Sequence, residues 1–422
     1  MSDPISRILT QLSIDTKTLS TILNLGPNGE DKLAFWRENP SKMPKKEAAR
    51  LQLLRTGIPH RSQAGTFKFI DLFAGIGGMR LPFQELGGQC VFTAEWDRHA
   101  QATYAANFGE PPYKTGDITA TKACDIAAHD ILLAGFPCQA FSQAGRRAGF
   151  HDTRGTMFFE IQRILAHHHP AAFLLENVKQ LKGHDSGRTL ETILSTLRGD
   201  TVPNIPDKVP MSVEARQSLG TKLDYETETI LLKARDFGVP QNRERIYIVG
   251  IRRDLGLPFG SVRALLKRVV ENYQQSSRLS DILEADSDYT RSFTISDRLW
   301  LGHRLRKERN RLAGKGFGYS IFNHESAYTN TISARYAKDG SEILIEQPDG
   351  INPRKLTPEE TRALQGFPRN FRIDMVGNGQ IYKQFGNSVA VPVIRAIATE
   401  LMATLRVAHP PLHSKAVSKV KP

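Results

Sequence analysis

Cysteine is scarce in this chain: 3 among 422 residues, at Cys90, Cys124 and Cys138. They show no paired spacing, which excludes a disulfide framework and a cysteine-based zinc motif and fits a reducing compartment, expected to be the cytoplasm. No secretory leader pattern opens the sequence. No apolar run approaches bilayer-spanning length, so no membrane partner is expected. Acidic residues are also in deficit. The 57 Lys plus Arg against 44 Asp plus Glu leave a formal charge of +13, and a surplus of that size points to a polyanion, nucleic acid first. The triplet His167, His168 and His169 has no second Cys or His pair to complete a site, and adjacent helical residues point apart, so no metal is expected.

What is present is enough chain for two or three domains. Residues 1–62 read as a helical extension: Ile5, Ile8, Leu9 and Leu12 repeat at helical spacing, as do Leu19, Ile22 and Leu23. A turn at Leu25-Gly26-Pro27 precedes stretches carrying Leu33 and Trp36, then Ala48, Leu51 and Leu54. Short helices around a glycine turn resemble a helix-turn-helix; a helical appendage that only packs is the other reading. From Phe67 the texture becomes short β-rich runs separated by helical patterns, the mark of an α/β fold built on a mostly parallel, doubly wound sheet. Strands are expected at 67–74, 90–96, 130–136, 172–178, 227–234 and 245–251, with an amphipathic helix through Met157, Phe158, Ile161, Ile164 and Leu165. The expected catalytic domain is 66–260, completed by 375–408. Between them, 261–374 reads as a smaller domain with Arg304, Arg306, Lys307, Arg309 and Arg311. Residues 409–422 read as a disordered basic tail.

Three loops carry chemistry. FIDLFAGIGG (69–78) is a strand ending in a turn with Gly75, Gly77 and Gly78, where missing side chains let backbone approach a ligand. Glu95 ends the next strand, where a carboxylate can hold ribose hydroxyls. The pair indicates an adenosine-containing cofactor, and GxGG spacing argues against a pyrophosphate cradle. GFPCQAFSQAG (135–145) presents Cys138 at a strand's C-terminal end, in a Pro-Cys-Gln loop that separates it from an ordinary buried cysteine. Glu176 closes the apolar run LLENV (174–178), either an ion-paired core residue or a functional acid with raised pKa. In QNRERIY (241–247), Arg243 and Arg245 share one face of an extended segment, and neighbouring positive charge favours a thiolate.

With AEWD (94–97), GDI (116–118), RKLTPEETRALQGFP (354–368) and KQFGNSVAVPV (383–393), these runs resemble, in order and across about residues 66 to 405, the DNA cytosine-5 methyltransferase family. The resemblance implies a Rossmann-like S-adenosylmethionine-dependent methyltransferase fold with a smaller DNA target-recognition domain. It places Asp71, Phe73, Gly75, Glu95, Trp96, Asp117, Ile118, Pro137, Asn387 and Ser388 around S-adenosyl-L-methionine. It makes Cys138 the nucleophile and Glu176 the acid, with Arg243 and Arg245 as the motif arginines.

The chemistry implied is covalent: a thiolate adds at carbon 6 of cytosine so that carbon 5 can accept a methyl group. A base stacked in a duplex is out of reach, so it must be rotated out at a cost of a few kcal/mol. Gln139, Ser142, Arg146 and Arg147 would close over it. Base reading is expected from GKGFGYSIF (314–322) and TNTISARYAKDGSEILIE (329–346), through Tyr319, Thr331, Ser333, Arg335, Tyr336 and Lys338. These strings resemble the recognition region of Dcm-like and restriction-system methylases. That implies a short palindromic site of CC...GG type, double-stranded DNA as partner, and a cognate restriction endonuclease as functional partner. The enzyme is expected to act as a monomer on that site, with a dimer through residues 1–62 at an operator if the extension regulates transcription. A tRNA cytosine-5 methyltransferase shares the motif set and is the alternative.

Overall fold

The structure is a computed structural model and describes residues 3–61, 64–110, 116–137, 157–203, 205, 209, 211–316, 318–348 and 350–408. Helices α1 (Pro4–Leu12), α2 (Thr16–Leu23), α3 (Gly29–Glu38) and α4 (Lys45–Leu53) form the extension. Asp3 and Asp15 start the first two by accepting from Ser6 N at 2.9 Å and Thr18 N at 2.7 Å, satisfying donors that helix geometry leaves open. Ser13 and Asn24 end them in the left-handed conformation. The apolar stripes meet in one cluster of Ile5, Leu19, Ile22, Leu33 and Trp36, which also takes in Ala105, Ala106 and Met375 of the main body. The extension is therefore docked on the rest of the chain.

The body is a six-stranded sheet ordered β2-β1-β3-β4-β6-β5. Its strands are β1 (Phe67–Leu72), β2 (Gly88–Ala94), β3 (Ile131–Gly135), β4 (Ala172–Val178), β5 (Tyr225–Lys233) and β6 (Glu244–Arg252). The first four pair in parallel. β6 runs antiparallel to both β4 and β5. The reversal follows from chain length: only residues 234–243 join β5 to β6, too few for the crossover of a dozen or more residues that a parallel pair requires.

Alternating side chains send Phe67, Phe69, Ile131 and Leu133 to one face and Ile70, Leu72, Leu132 and Phe173 to the other, as the two-residue period of a strand dictates. The first face is covered by α5 (Arg80–Glu85), α10 (Ser261–Asn272) and α16 (Val391–Ala408), the second by α7 (Met157–His168), α8 (Arg188–Arg198) and α9 (Val213–Ser218). Each fully buried Leu, Ile or Phe contributes about 1.5–3 kcal/mol. α6 (Arg98–Phe108) lies beyond β2, joined through Tyr104 and Phe108 to Phe367, Phe371 and Phe385.

The boundary expected after residue 260 runs in front of α10, whose Val262, Leu265, Leu266 and Val269 are buried in the sheet's core. The segment around Phe367, Phe371 and Ile373 likewise packs on the glycine-turn side of the body. A separate cluster of Leu279, Ile332, Tyr336, Ile343, Ile345 and Leu356 forms the heart of the smaller unit. It holds α11 (Asp288–Arg291), α12 (Asp297–Leu312), the short pair β7 (Ile321–Phe322) and β8 (Leu344–Ile345), and α13 (Tyr336–Asp339). α14 (Pro358–Leu364) and α15 (Asn378–Asn387) return the chain to α16. Residues 378–406 are apolar and long enough to cross a membrane, yet 72% of their most apolar window is buried inside the protein, the signature of core helices. The tail 409–422 lies outside the described residues.

Candidate active site

The glycine turn leaves β1 through a backbone that few side chains tolerate. Phe73 has φ +55°, with Gly75 at +55° and Gly77 at +85°; a bulky residue in this region is a genuine outlier, and such strain gathers at ligand sites. Gly77 must be glycine, because a Cβ there would sit 2.4 Å from the Phe108 ring. A Cβ on Gly75 would meet nothing within 4 Å, so that turn faces open space. Glu95 stabilises it, its carboxylate accepting from Gly75 N and Asp97 N at 2.8 Å each. Burial pushes the Glu95 carboxyl up, against the pull of those two amides. Trp96, beside it, is 78% exposed, an unusual position for an indole and one that offers a ring face.

Gly116 packs against Glu95 O and Trp96, bringing Asp117, which caps a single turn by accepting from Thr119 N at 2.9 Å, and buried Ile118 to the same place. From the far end of the chain Asn387 closes α15 and Ser388 caps it; a Cβ on Gly78 would meet Ser388 Oγ at 2.8 Å. Asp71 is buried with neither carboxylate oxygen hydrogen-bonded among the described residues, and burial raises its carboxyl well above the usual range. A buried carboxylate short of donors, next to an open glycine turn and a carboxylate spaced for ribose, fits an adenosine ligand carrying an ammonium group.

The second cluster lies at the same sheet edge. Gly135, three residues before Cys138, is the register partner of Glu176. Phe136 is buried, and its carbonyl accepts from Asn177 Nδ2 at 3.3 Å; half-buried Pro137 follows. Cys138, Gln139, Ser142, Arg146 and Arg147 lie outside the described residues. Arg245 Nε reaches Glu176 Oε1 at 3.1 Å. Burial raises the Glu176 carboxyl, and Arg245 and Arg243 oppose that shift. Arg243, expected near the thiol of Cys138 (itself outside the described residues), is anchored by backbone carbonyls. Its guanidinium donates to Ile332 O at 3.3 Å, to Gly386 O at 3.2 Å and to Ser388 O, joining the two units. No group of three or more metal-ligating side chains occurs among the described residues.

The expected base-reading residues divide. Arg335 and Lys338 are exposed. Thr331 Oγ1 donates to Asn242 O at 2.8 Å, and Ser333 Oγ to Glu342 Oε1 at 2.7 Å. Tyr319 has Trp300 4.7 Å away and Lys307 Nζ 4.3 Å over its ring. Tyr336 does not fit the expectation: it is 0% exposed, donates to Ile343 O at 2.7 Å and accepts from Leu356 N at 2.8 Å, a core tyrosine with no reach toward a base. Asn177 and Gln241 were not singled out by the motifs. Each lies within a quoted run, Asn177 in LLENV and Gln241 at the head of QNRERIY, where a polar amide inside or beside an apolar strand was the signal.

Residues 67–200 and 216–403 match the family described as C-5 cytosine-specific DNA methylase. The chain is 55% identical over 342 residues to the type II methyltransferase M.NlaX of Neisseria lactamica, covering 80% of this chain and 97% of that protein. It is 47% identical over 406 residues to the type II methyltransferase M1.ScrFI of Lactococcus lactis subsp. cremoris, covering 94% and 93%, a span that takes in most of the extension. In fold it is similar to the S. pombe Dnmt2 methyltransferase crystal structure, with a TM-score of 0.60 at 19% identity over 80% of this chain and 99% of that one. With the glycine turn, the Glu95 carboxylate and the Glu176–Arg245 pair at one sheet edge, the chain belongs to the C-5 cytosine-specific DNA methylases, enzymes that methylate DNA cytosine with S-adenosyl-L-methionine.

Proposed function

We propose that Cys138 is the nucleophile of this methyltransferase, with Glu176 as its acid and Arg245 as the group that holds that acid in place. The observation that carries the reading is the Glu176–Arg245 contact at 3.1 Å on the strand whose register partner, Gly135, leads into the Cys138 loop. The cofactor would lie against Phe73, Gly75, Glu95 and Trp96, with Asp117, Ile118, Pro137, Asn387 and Ser388 around it and Asp71 toward its ammonium group. S-adenosylmethionine supplies an electrophilic methyl.

The Cys138 thiolate forms a bond to carbon 6, and the electron pair of the 5,6 double bond becomes available at carbon 5. The raised carboxyl of Glu176 donates to ring nitrogen 3, where that addition would otherwise leave negative charge. Once carbon 5 carries the methyl, its proton passes to solvent water, the freed C–H pair re-forms the 5,6 double bond, the carbon–sulfur bond breaks to release thiolate, and the proton lent to nitrogen 3 returns to Glu176. Arg243 does not touch the base in this reading; it ties the strand to Ile332 and Ser388.

Exposed Arg335 and Lys338, with Thr331 and Ser333 beside them, make the face that meets duplex DNA. By resemblance the site is a short palindrome of CC...GG type whose methylation protects DNA from a cognate restriction endonuclease. Bisulfite sequencing of DNA from cells expressing the chain tests base and site together. Methylcytosine at one short sequence is expected, and none with Cys138→Ala, which should still bind cofactor. Wild-type methylation by that variant would exclude the covalent mechanism, and methyl incorporation into RNA alone would favour the tRNA alternative.

The extension is proposed to bind an operator of its own, since α4 presents exposed Lys45 and Lys46 on a helix that follows a short turn. Equal promoter binding by a chain lacking residues 1–62 would remove that role.

A further inference from the structure

The segment proposed to read the target is joined to the catalytic strand by side chains that the chemistry above does not use. Thr329 N donates to Pro240 O, and Asn242 N to Thr329 O, at 2.8 Å each. Thr331 Oγ1 adds a third tie to Asn242 O at 2.8 Å. Between these, buried Ile332 has both backbone groups taken: its N–H donates to Gln241 Oε1 at 3.0 Å, and its carbonyl accepts from Arg243 at 3.3 Å. The other end of the Gln241 amide donates to Leu364 O at 3.1 Å, at the end of α14. Gln241, Ile332 and Leu364 are all 0% exposed.

Gly386 closes the junction from the other side. A Cβ there would lie 2.3 Å from Ser333 backbone, so the recognition segment rests directly on the turn that carries Asn387 and Ser388. Four residues after Gln241 comes Arg245, on Glu176. A fully buried planar amide that accepts from one segment and donates to another fixes both in one arrangement.

We propose that Gln241 is a positioning residue that couples target reading to methyl transfer, holding residues 329–333 in fixed register with the strand that carries Arg245. The proposal rests on the reading of 329–338 as the target-reading face. When a wrong base pair displaces that face, the displacement is passed to Glu176 through the junction. With the junction loosened, correct and incorrect sequences present the cytosine about equally well.

The test compares wild type with Gln241→Met, which fills similar volume without either hydrogen bond, and Gln241→Glu, which keeps an acceptor for Ile332 N. Substrates are the duplex that wild type methylates fastest and the same duplex changed at one base pair. The ratio of the two rates is expected to fall on the order of tenfold in Gln241→Met, through kcat on the correct duplex, with the cofactor KM unchanged. In Gln241→Glu the ratio should return toward wild type. A lower overall rate with the ratio unchanged would mean a structural role only and would overturn the proposal. Should the Met variant not fold, hydrogen exchange on the wild-type chain decides: slow exchange at 329–334 without DNA is expected, and exchange at the rate of an open loop overturns the coupling. A wild-type chain that methylates no duplex defeats the proposed function itself, and the same assay shows this before any variant is made.

Discussion

Glu176 and Arg245 meet diagonally across the antiparallel β4–β6 pair, two positions apart in register, with Nε of the arginine 3.1 Å from Oε1 of the glutamate. Burial raises the pKa of this carboxyl against the opposing pull of Arg245 and Arg243, a direction that favours the protonated, donating form.

Glu176→Gln keeps the volume and removes the proton supply. Single-turnover methyl transfer should slow by about 10²- to 10⁴-fold, with cofactor affinity unchanged by calorimetry. A loss below threefold would show that the carboxyl is not the acid.

Glu95→Ala leaves the amides of Gly75 and Asp97 without their acceptor. Both bonds are only part-buried, so water takes up some of the lost pairing and the loss falls mainly on the turn they hold, the cofactor's proposed seat. Cofactor binding followed by quenching of exposed Trp96 should weaken at least about tenfold, while the melting temperature falls only modestly.

Gly77→Ala is a packing test of the same turn. Its Cβ would sit 2.4 Å from the Phe108 ring at φ +85°, so overpacking and left-handed strain add. A loss of about 3 kcal/mol in urea unfolding is expected.

Much of this was legible in the sequence because it depended on local patterns. All six strands of the main sheet lie within a few residues of the apolar runs that announced them, since glycine, proline and charge bound each run. Strand direction was not legible: nothing in ERIYIVGIR distinguishes a parallel from an antiparallel partner, and only the short 234–243 connection carried a hint. α10 shows the same limit, since Val262, Leu265, Leu266 and Val269 declare a helix without saying which layer buries it. Tyr336 was misplaced because a tyrosine in a polar string has the same letters whether it meets a base or a core. Gln241 was passed over ahead of two arginines, because an amide's value lies in its partners, 91 and 123 residues away in sequence.

His129 makes stability depend on pH. Burial lowers its pKa to about 4 from 6.5, with its Nδ1 against Ala127 O at 2.8 Å and the His168 ring 4.8 Å away. The neutral form is the folded form, so its contribution is fully present above pH 6.5. It is lost as pH falls from there toward 4, where the unfolded chain binds the proton first. About 3 kcal/mol should go over that window. Urea unfolding at pH 7 and pH 4.5 should show a smaller difference for His129→Gln than for wild type.

The single reversed strand decides which residues can be neighbours at all. A nine-residue strand is roughly 30 Å long. Were β6 turned to run with β4, its first residues would emerge on the opposite rim of the molecule, that far from Glu176. Because it is inverted, the peptide just ahead of it surfaces where its neighbours finish, and a stretch that would otherwise be remote plumbing becomes part of the wall around the reacting base.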